Sequence, residues 1–415
     1  MSKVAIIGGG VIGLCSAYYL NKEGWEVTVI DRNNITDGCS FGNMGYISPS
    51  HFIPLASPGI VKQGLKWMLS SSSPFYIKPR LNLDLLRWGT TFWKNSTVEK
   101  VKENIPHLNN LLQLSRHLMN DFKKEFNGSF EMIEKGCWTL YKNENTGDHE
   151  KHLTEQAEGL GLKTRICSAQ QVQDLEPEVE IDVAGGVLWL DDCHLDSGKF
   201  MKTLHSHLQK AGVKFLLDEE VVGFEKINGK IRSVITNKRK VEAEEIIIAN
   251  GSWMPIVAKL AGIHLLMQPG KGYSVVYPNM EKNLHHPSIL IEARTAMTPI
   301  DRWLRIGGTM ELSGHSETIL PKRVMAIYET VKKYFPNLNI PQPQPEKAWF
   351  GYRPVTPDGL PYIGKHGKYS NLTFAGGHAM LGLSAAAATG KLIEEILNHK
   401  KTTIDLSAFR VERFS

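Results

Sequence analysis

The spacing of apolar positions changes period several times along this chain, and each change marks a new element. Lys3-Val-Ala-Ile-Ile-Gly8 is a short continuous apolar run, which predicts a buried strand. Over 11–23 the apolar residues Leu14, Ala17, Tyr18 and Leu20 recur at helical spacing, Gly24 stops the helix, and 25–30 predicts a second strand. The pattern then turns helical over 81–94 and 98–126, where Val101, Ile105, Leu108, Leu111, Leu112, Leu118 and Phe122 mark one face. Strands return at 136–141 and 186–190, separated by a polar helix over 146–160 and a break at Glu176-Pro177. Asp196 caps an amphipathic helix that reaches Ala211, and 212–217 predicts another parallel strand.

Further along, 222–227, 231–236 and 241–243 alternate around Asn228-Gly229, a hairpin signal. The β-branched run 245–249 predicts a buried strand that ends in small residues before a helix. Runs at 272–277, 288–292, 296–300 and 304–309 predict an antiparallel sheet. A helix over 321–335, a proline-dense connection over 336–345 and a last helix ending at Leu397 complete the chain.

Length and composition narrow the class. At 415 residues the chain exceeds one ordinary core and predicts two domains with a long interface. Its net charge of +5 comes from scattered groups such as Lys123-Lys124, with no long basic run or aromatic–basic interleaving, which argues against a nucleic-acid partner. Five cysteines without C-x-x-C spacing predict neither a disulfide framework nor a metal site. Met1-Ser-Lys3 leads straight into the first strand without an apolar leader, and no run approaches eighteen apolar residues. The expectation is a cytoplasmic protein. Peripheral contact with the inner membrane face stays open through 59–69, where aromatic and aliphatic residues interleave with lysines as in an interfacial helix; a helix packed on its own protein is the plainer reading.

The chemistry begins at Gly8-Gly-Gly-Val-Ile-Gly13 between strand and helix. Gly8, Gly10, Val11, Ile12 and Gly13 predict a turn tight enough to bring a pyrophosphate onto the helix N-terminus. Asp31, with the adjacent Arg32, closes the second strand where an acid accepts hydrogen bonds from an adenosine ribose and repels a 2′-phosphate, favouring FAD or NAD over NADP. A nucleotide-free α/β unit is the alternative. The small-residue loop over 38–49 is built to approach something. Near the C-terminus, Arg353 stands between glycine and two prolines on a rigid stretch where its fork can hold a carboxylate bidentately. Trp67, Trp88, Phe92 and Trp93 read as core more readily than as pocket wall.

The loop Gly38-Cys-Ser-Phe-Gly-Asn-Met-Gly-Tyr-Ile-Ser-Pro49, the segment Ala249-Asn-Gly-Ser-Trp253 and the C-terminal stretches 349–364 and 374–383 together resemble FAD-dependent D-amino acid dehydrogenases of the small-subunit type, within the D-amino acid oxidase and glycine oxidase family. The resemblance runs through the whole chain. It implies an α/β fold: a Rossmann-like FAD-binding domain from 1–54, 186–262 and 346–415, and an α+β substrate domain from the helical 55–185 and the antiparallel sheet 263–345. It implies that Ser40, Asn43, Met44 and Gly45 line the flavin, that Val221 holds the adenine and that Gly251 passes the diphosphate. Gly377, His378, Met380, Leu381 and Gly382 would lie at the flavin edge, at the N-terminus of a helix beginning just beyond Gly377. The segment Arg305-Ile-Gly-Gly-Thr-Met-Glu311 would be a strand returning to the nucleotide domain.

Three departures matter. Relatives with covalent flavin use a histidine in the early loop or a cysteine near the later one, whereas Asn43-Met44 stand here, so the FAD is expected to be noncovalent. Glycine-oxidase-like members place a carboxylate-binding tyrosine where this chain has Ala296, leaving Tyr273 and Tyr352 as candidates to assist Arg353. Nothing fixes the pocket for the substrate's side chain. The resemblance thus implies oxidative deamination of a D-amino acid or a cyclic imino acid such as D-proline or a hydroxy-D-proline. The Cα hydride would go to flavin N5 and the electrons to a quinone or another acceptor. An oxygen-using glycine or sarcosine oxidase and a non-catalytic NAD-binding regulator are the alternatives.

Overall fold

A computed structural model describes residues 2–414 apart from 68–72. The apolar run and glycines of the N-terminus give β1 (Lys3–Ile7), α1 (Val11–Lys22) and β2 (Glu26–Ile30). The early loop and the helical scaffold follow as β3 (Tyr46–Ile47), α2 (Ile60–Trp67), β4 (Phe75–Ile77), α3 (Leu83–Asn95) and α4 (Val98–Glu125). Asn82 and Thr97 cap the last two through their side chains. Met68 and Leu69, the end of the stretch read as an interfacial helix, lie outside the described residues.

Next come β5 (Cys137–Tyr141), α5 (Glu144–Gly159), β6 (Thr164–Ser168), α6 (Ala169–Leu175), β7 (Gly185–Trp189), β8 (Cys193–His194) and α7 (Ser197–Lys210), the last capped by Asp196. Then β9 (Lys214–Leu216) precedes a meander, β10 (Val221–Ile227), β11 (Lys230–Thr236) and β12 (Lys240–Glu242), in which Asn228 and Gly229 both take positive φ as the hairpin signal requires. The chain continues through β13 (Glu245–Ile248), α8 (Met254–Leu260), β14 (Gln268–Tyr277), β15 (Ser288–Leu290), β16 (Thr295–Ile300), β17 (Trp303–Leu312) and α9 (Pro321–Tyr334). It ends with β18 (Trp349–Val355), β19 (Tyr362–His366), β20 (Tyr369–Gly376) and α10 (Ala386–Leu397).

Two large sheets organise these elements. The six-stranded sheet runs β19-β20-β13-β1-β2-β9, parallel except for β19. Apolar residues of α1, α4, α7 and α10 cover one of its faces, while α8 and the meander cover the other, giving the Rossmann-like arrangement. The nine-stranded sheet runs β18-β14-β17-β16-β15-β5-β7-β6, with β4 added beside β17, and α9 packs on one of its faces.

The structure corrects three expectations. Strand β7 pairs antiparallel with β5 and β6 in the larger sheet, so it does not open a second piece of the nucleotide domain. Strand β17 stays in the middle of that sheet, between β14 and β16, and does not return to the nucleotide domain. Strand β18 also belongs there, and the crossing to the six-stranded sheet comes after it, before β19.

Candidate functional site

Glycines build the turn after β1 for identifiable reasons. Gly8 has φ +113°, and a β-carbon there would stand 2.7 Å from the Ala249 backbone. On Gly13 a β-carbon would stand 1.9 Å from the Gly8 carbonyl oxygen, so only glycine lets α1 pack this closely on β1. Asp31, just past β2, accepts from the N–H of Gly9 at 2.6 Å and of Asn33 at 3.0 Å. Burial raises its pKa, while those two bonds oppose the shift. The acid therefore braces the glycine turn and also stands on the cavity wall. Beside it the Arg32 guanidinium lies 4.0 Å over the Trp253 ring.

The early loop closes on the start of α1, since Val11 N–H donates to Ser40 Oγ at 3.0 Å. Its carbonyls are turned onto other elements. Met44 accepts from Thr298 Oγ1 at 2.6 Å, and Asn43 accepts from Ser197 Oγ at 2.9 Å and from Arg305 Nη1. A β-carbon on Gly45 would stand 2.1 Å from the Leu195 carbonyl oxygen. The loop is thus fastened across the face of the larger sheet, where Met44 Sδ covers Gly307.

Arg353 lies on that same face. Its strand pairs Gly270 with Arg353 and Gly272 with Gly351, and a β-carbon on Gly272 would stand 2.1 Å from Arg353 Nη1. The absence of side chains there makes the bed for the guanidinium. Nη1 donates to the Thr309 carbonyl at 2.8 Å, and among the described residues no carboxylate lies within ion-pair distance of Arg353. Burial pushes its pKa down, because a half-buried cation has lost water without gaining an anion.

Both candidate tyrosines reach the cavity wall, but neither side chain shares Arg353's face of the strands, which corrects the expectation that they stand beside it. Successive side chains on a strand point to opposite faces, and Tyr352 pairs with Lys271 while Tyr273 pairs with Phe350, on the far side. The Tyr273 hydroxyl donates to Glu311 at 2.8 Å in a buried group with Lys271 and Arg323. The Tyr352 ring packs edge-on against Trp253 and His315. Thr309, whose carbonyl Arg353 holds, lines the cavity at a break in the β14–β17 register, and its buried Oγ1 has no hydrogen-bond partner.

The C-terminal turn also differs from expectation. Gly377 has φ +86°, but α10 starts only at Ala386, after a 3-10 turn at Ala379–Leu381, so no helix N-terminus follows directly on Gly377. His378 is buried, its Nε2 lies 2.9 Å from Thr389 Oγ1, and Thr389 donates onward to the Ala385 carbonyl. The histidine is therefore the donor. Burial lowers its pKa to about 3, leaving a neutral ring that ties the turn to α10.

These parts surround one cavity of about 1670 Å³, against roughly 300–1,000 Å³ for an ordinary small-ligand pocket. That volume has room for a dinucleotide and a small substrate together. Of the predicted site residues, all line it except Gly13, Gly45 and Gly377, which shape its walls from behind. Asn250 Oδ1, buried and unpartnered on the wall beside Gly251, fits the polar diphosphate side of the expected FAD. Trp88 and Phe92, read from sequence as core, are buried and stacked 4.9 Å apart, yet they also form cavity wall. Sequence reasoning missed Gly272, Thr309, Arg294, Arg305 and His51; only Gly272, a glycine inside a strand, carried a local signal.

Comparison with known proteins shows the family and the fold. The family model "DAO: FAD dependent oxidoreductase" matches residues 3–396. The chain is 30% identical over 424 residues to D-amino acid dehydrogenase of Granulibacter bethesdensis, covering 100% of both, and 33% identical over 416 residues to that of Helicobacter pylori, covering 98% of both. Among solved structures, glycine oxidase from Geobacillus kaustophilus superposes with a TM-score of 0.80 at 21% identity, over 100% of this chain and 99% of that one. The chain belongs to the DAO family of FAD dependent oxidoreductases.

Proposed function

We propose that this oxidoreductase deaminates D-amino acids or cyclic D-imino acids by oxidation, with Arg353 as the carboxylate anchor and Thr309 Oγ1 as its second contact. The observation that carries the reading is the unpaired Arg353 guanidinium over Gly272, in the cavity that begins at the Gly8 turn. The names of the full-length relatives support the D-amino acid class.

Bound FAD supplies the two-electron acceptor for the Cα hydride. Gly8, Gly10, Val11, Ile12, Asp31, Arg32, Ser40, Asn43, Met44, Val221, Gly251 and His378 to Gly382 would hold it. Asn43-Met44 stand where relatives with covalent flavin carry a linking histidine, and 374–383 holds no cysteine, so the FAD is noncovalent; Cys39 Sγ bonds the Tyr352 backbone N–H and carbonyl. Arg353 takes the substrate carboxylate by charge-assisted bonds and so fixes which Cα–H is presented. His378, neutral and bonded to Thr389, keeps the turn in place and takes no proton. The amine arrives neutral, and an acyclic imino product hydrolyses to keto acid and ammonia. The electrons pass on to a quinone or a similar acceptor.

No described helix is long and apolar enough to cross a membrane. Peripheral contact is better supported at α3 than at 59–69, because Leu83, Leu86 and Trp93 stand exposed along one stripe with Leu81 at its end, and Lys78, Arg87 and Lys94 lie in the same region.

Anaerobic mixing of the purified holoenzyme with matched D- and L-amino acids tests the function. Rapid bleaching by D-alanine or D-proline, with none by the L-forms, is expected. Bleaching by glycine or sarcosine alone, with peroxide formed at the turnover rate, would replace this reading with a glycine-oxidase type. Acid precipitation should release all the flavin into the supernatant.

A further inference from the structure

Arg294 closes the turn between β15 and β16 with φ +52°, a left-handed conformation that arginine rarely adopts and that persists where the surroundings over-determine it. Its side chain lines the cavity, and among the described residues no carboxylate lies within ion-pair distance. Glu150 is the nearest acid that its charge reaches. That acid is itself buried, 3.5 Å from His149 Nδ1. Arg294 thus presents donors that nothing in the described protein takes up.

His51 lines the same region, and a chain of bonds fixes its ring. Asp192, buried behind it, accepts from Ser50 N–H at 3.0 Å and from Ser50 Oγ at 2.6 Å. The serine hydroxyl has one hydrogen and has given it to Asp192, so across the 3.0 Å contact to His51 it accepts from Nδ1–H. That network assigns the lone pair to Nε2, which has no protein partner among the described residues. The region therefore offers a donor, Arg294, and an acceptor, His51 Nε2.

The region connects to the anchor through β17: Arg353 Nη1 holds the Thr309 carbonyl, Gly308 pairs with Thr295 on the next strand, and a β-carbon on Gly308 would stand 2.8 Å from the Arg294 carbonyl oxygen.

We propose that Arg294 and His51 form the subsite for the substrate's side chain and select a side chain that carries a hydroxyl group. The inference rests on the D-amino acid reading above. A hydroxyl accepts from the guanidinium and donates to Nε2, and so satisfies both. A carboxylate would face the Nε2 lone pair and Glu150. A plain alkyl group would offer a partner to neither the exposed Arg294 guanidinium nor the half-buried His51 ring.

The test compares hydroxylated and deoxy partners on the holoenzyme at about pH 8, where Asp192 is ionised. Anaerobic flavin bleaching is followed with cis-4-hydroxy-D-proline against D-proline, D-serine against D-alanine, and D-glutamate against D-norvaline. In the native enzyme kcat/KM should favour the hydroxylated member of at least one of the first two pairs by about ten- to a hundredfold, mainly through KM. Arg294→Met and His51→Phe should bring that ratio close to one, and Arg294→Lys should restore part of it. Variants are scored only after their flavin absorbance shows that they hold FAD. A native ratio near one, or a ratio that survives both substitutions, overturns the subsite. A preference for D-glutamate that depends on Arg294 overturns it in favour of an acidic side chain. Bleaching by D-alanine without any hydroxyl preference defeats this inference alone, whereas no bleaching by any D-amino acid defeats the function along with it.

Discussion

At Gly272 a β-carbon would stand 2.1 Å from Arg353 Nη1 and 2.6 Å from its Cζ. The guanidinium is the far end of a flexible side chain, so Gly272→Ala should leave the fold intact while turning the anchor off its bond to the Thr309 carbonyl. The expected outcome is a KM for D-amino acids raised about tenfold, with an unchanged Tm. Arg353→Met removes the charge-assisted bonds themselves and should lower kcat/KM by about ten- to a hundredfold or more. Steady-state kinetics on both variants separate the two cases, and near-native kcat/KM in Arg353→Met would remove it from the site. Asp192 gives a different signature, in stability. Burial raises its pKa to about 7, against about 3.9 in an unfolded chain. Between those values the folded protein holds a proton that the unfolded chain has released, so this group's contribution falls as pH rises from about 4 to 7. Asp192→Asn abolishes that slope. Thermal melts should find the variant gaining on the native protein between about pH 5 and pH 8, and an equal difference at both would mean that the carboxyl titrates normally.

Elements whose signals are local were legible in sequence. The β1–α1–β2 unit, the Asn228-Gly229 hairpin, the strand β13 and the Asp196 cap each follow from residues within one or two turns of one another. The membership of β7, β17 and β18 in the larger sheet was not legible, because an apolar strand does not encode which distant strand it pairs with. The short strands β3, β4, β6 and β8 were missed because two to five residues carry too little period. The late start of α10 was hidden by an apolar run without a side-chain cap. The same division runs through the site. The glycine turn, Asp31 and Arg353 announce themselves, whereas Arg305, Thr309 and Arg294 gain meaning only from partners on other strands. Packing of α1 on β1 rests on Gly13, where a β-carbon would stand 1.9 Å from a backbone oxygen. Gly13→Ala should therefore push the helix outward and weaken FAD binding at least tenfold by flavin fluorescence titration. The exposed stripe of α3 makes its own prediction: the native protein should float with anionic liposomes, and Leu86→Glu with Trp93→Glu should abolish flotation. Absence of native binding would leave the stripe for another partner.

The two sheets meet across a cavity of about 1670 Å³, and the lining residues proposed to hold the cofactor come from both sides. The glycine turn and Asp31 belong to the six-stranded sheet, whereas the Asn43-Met44 loop is fastened to β16, β17 and α7 by Thr298, Arg305 and Ser197. FAD bound between them would add to the hydrogen bonds that already join the two cores, such as those of Tyr46 to Ser288 and Met297, so its binding energy should appear in the unfolding of the whole molecule. A ligand that binds only the folded state stabilises it by about 2.7 kcal/mol at a hundred times its Kd, and by about 1.4 kcal/mol for each further tenfold. The apoprotein should accordingly show a Tm that climbs with the logarithm of FAD concentration, as one cooperative transition seen alike by tryptophan fluorescence and circular dichroism. Two transitions, of which FAD moves only the one belonging to the six-stranded sheet, would mean that the loop fastenings to the larger sheet contribute little to holding the flavin. In that case Arg305→Met should leave FAD affinity unchanged, whereas a single shared transition predicts that it lowers affinity and Tm together.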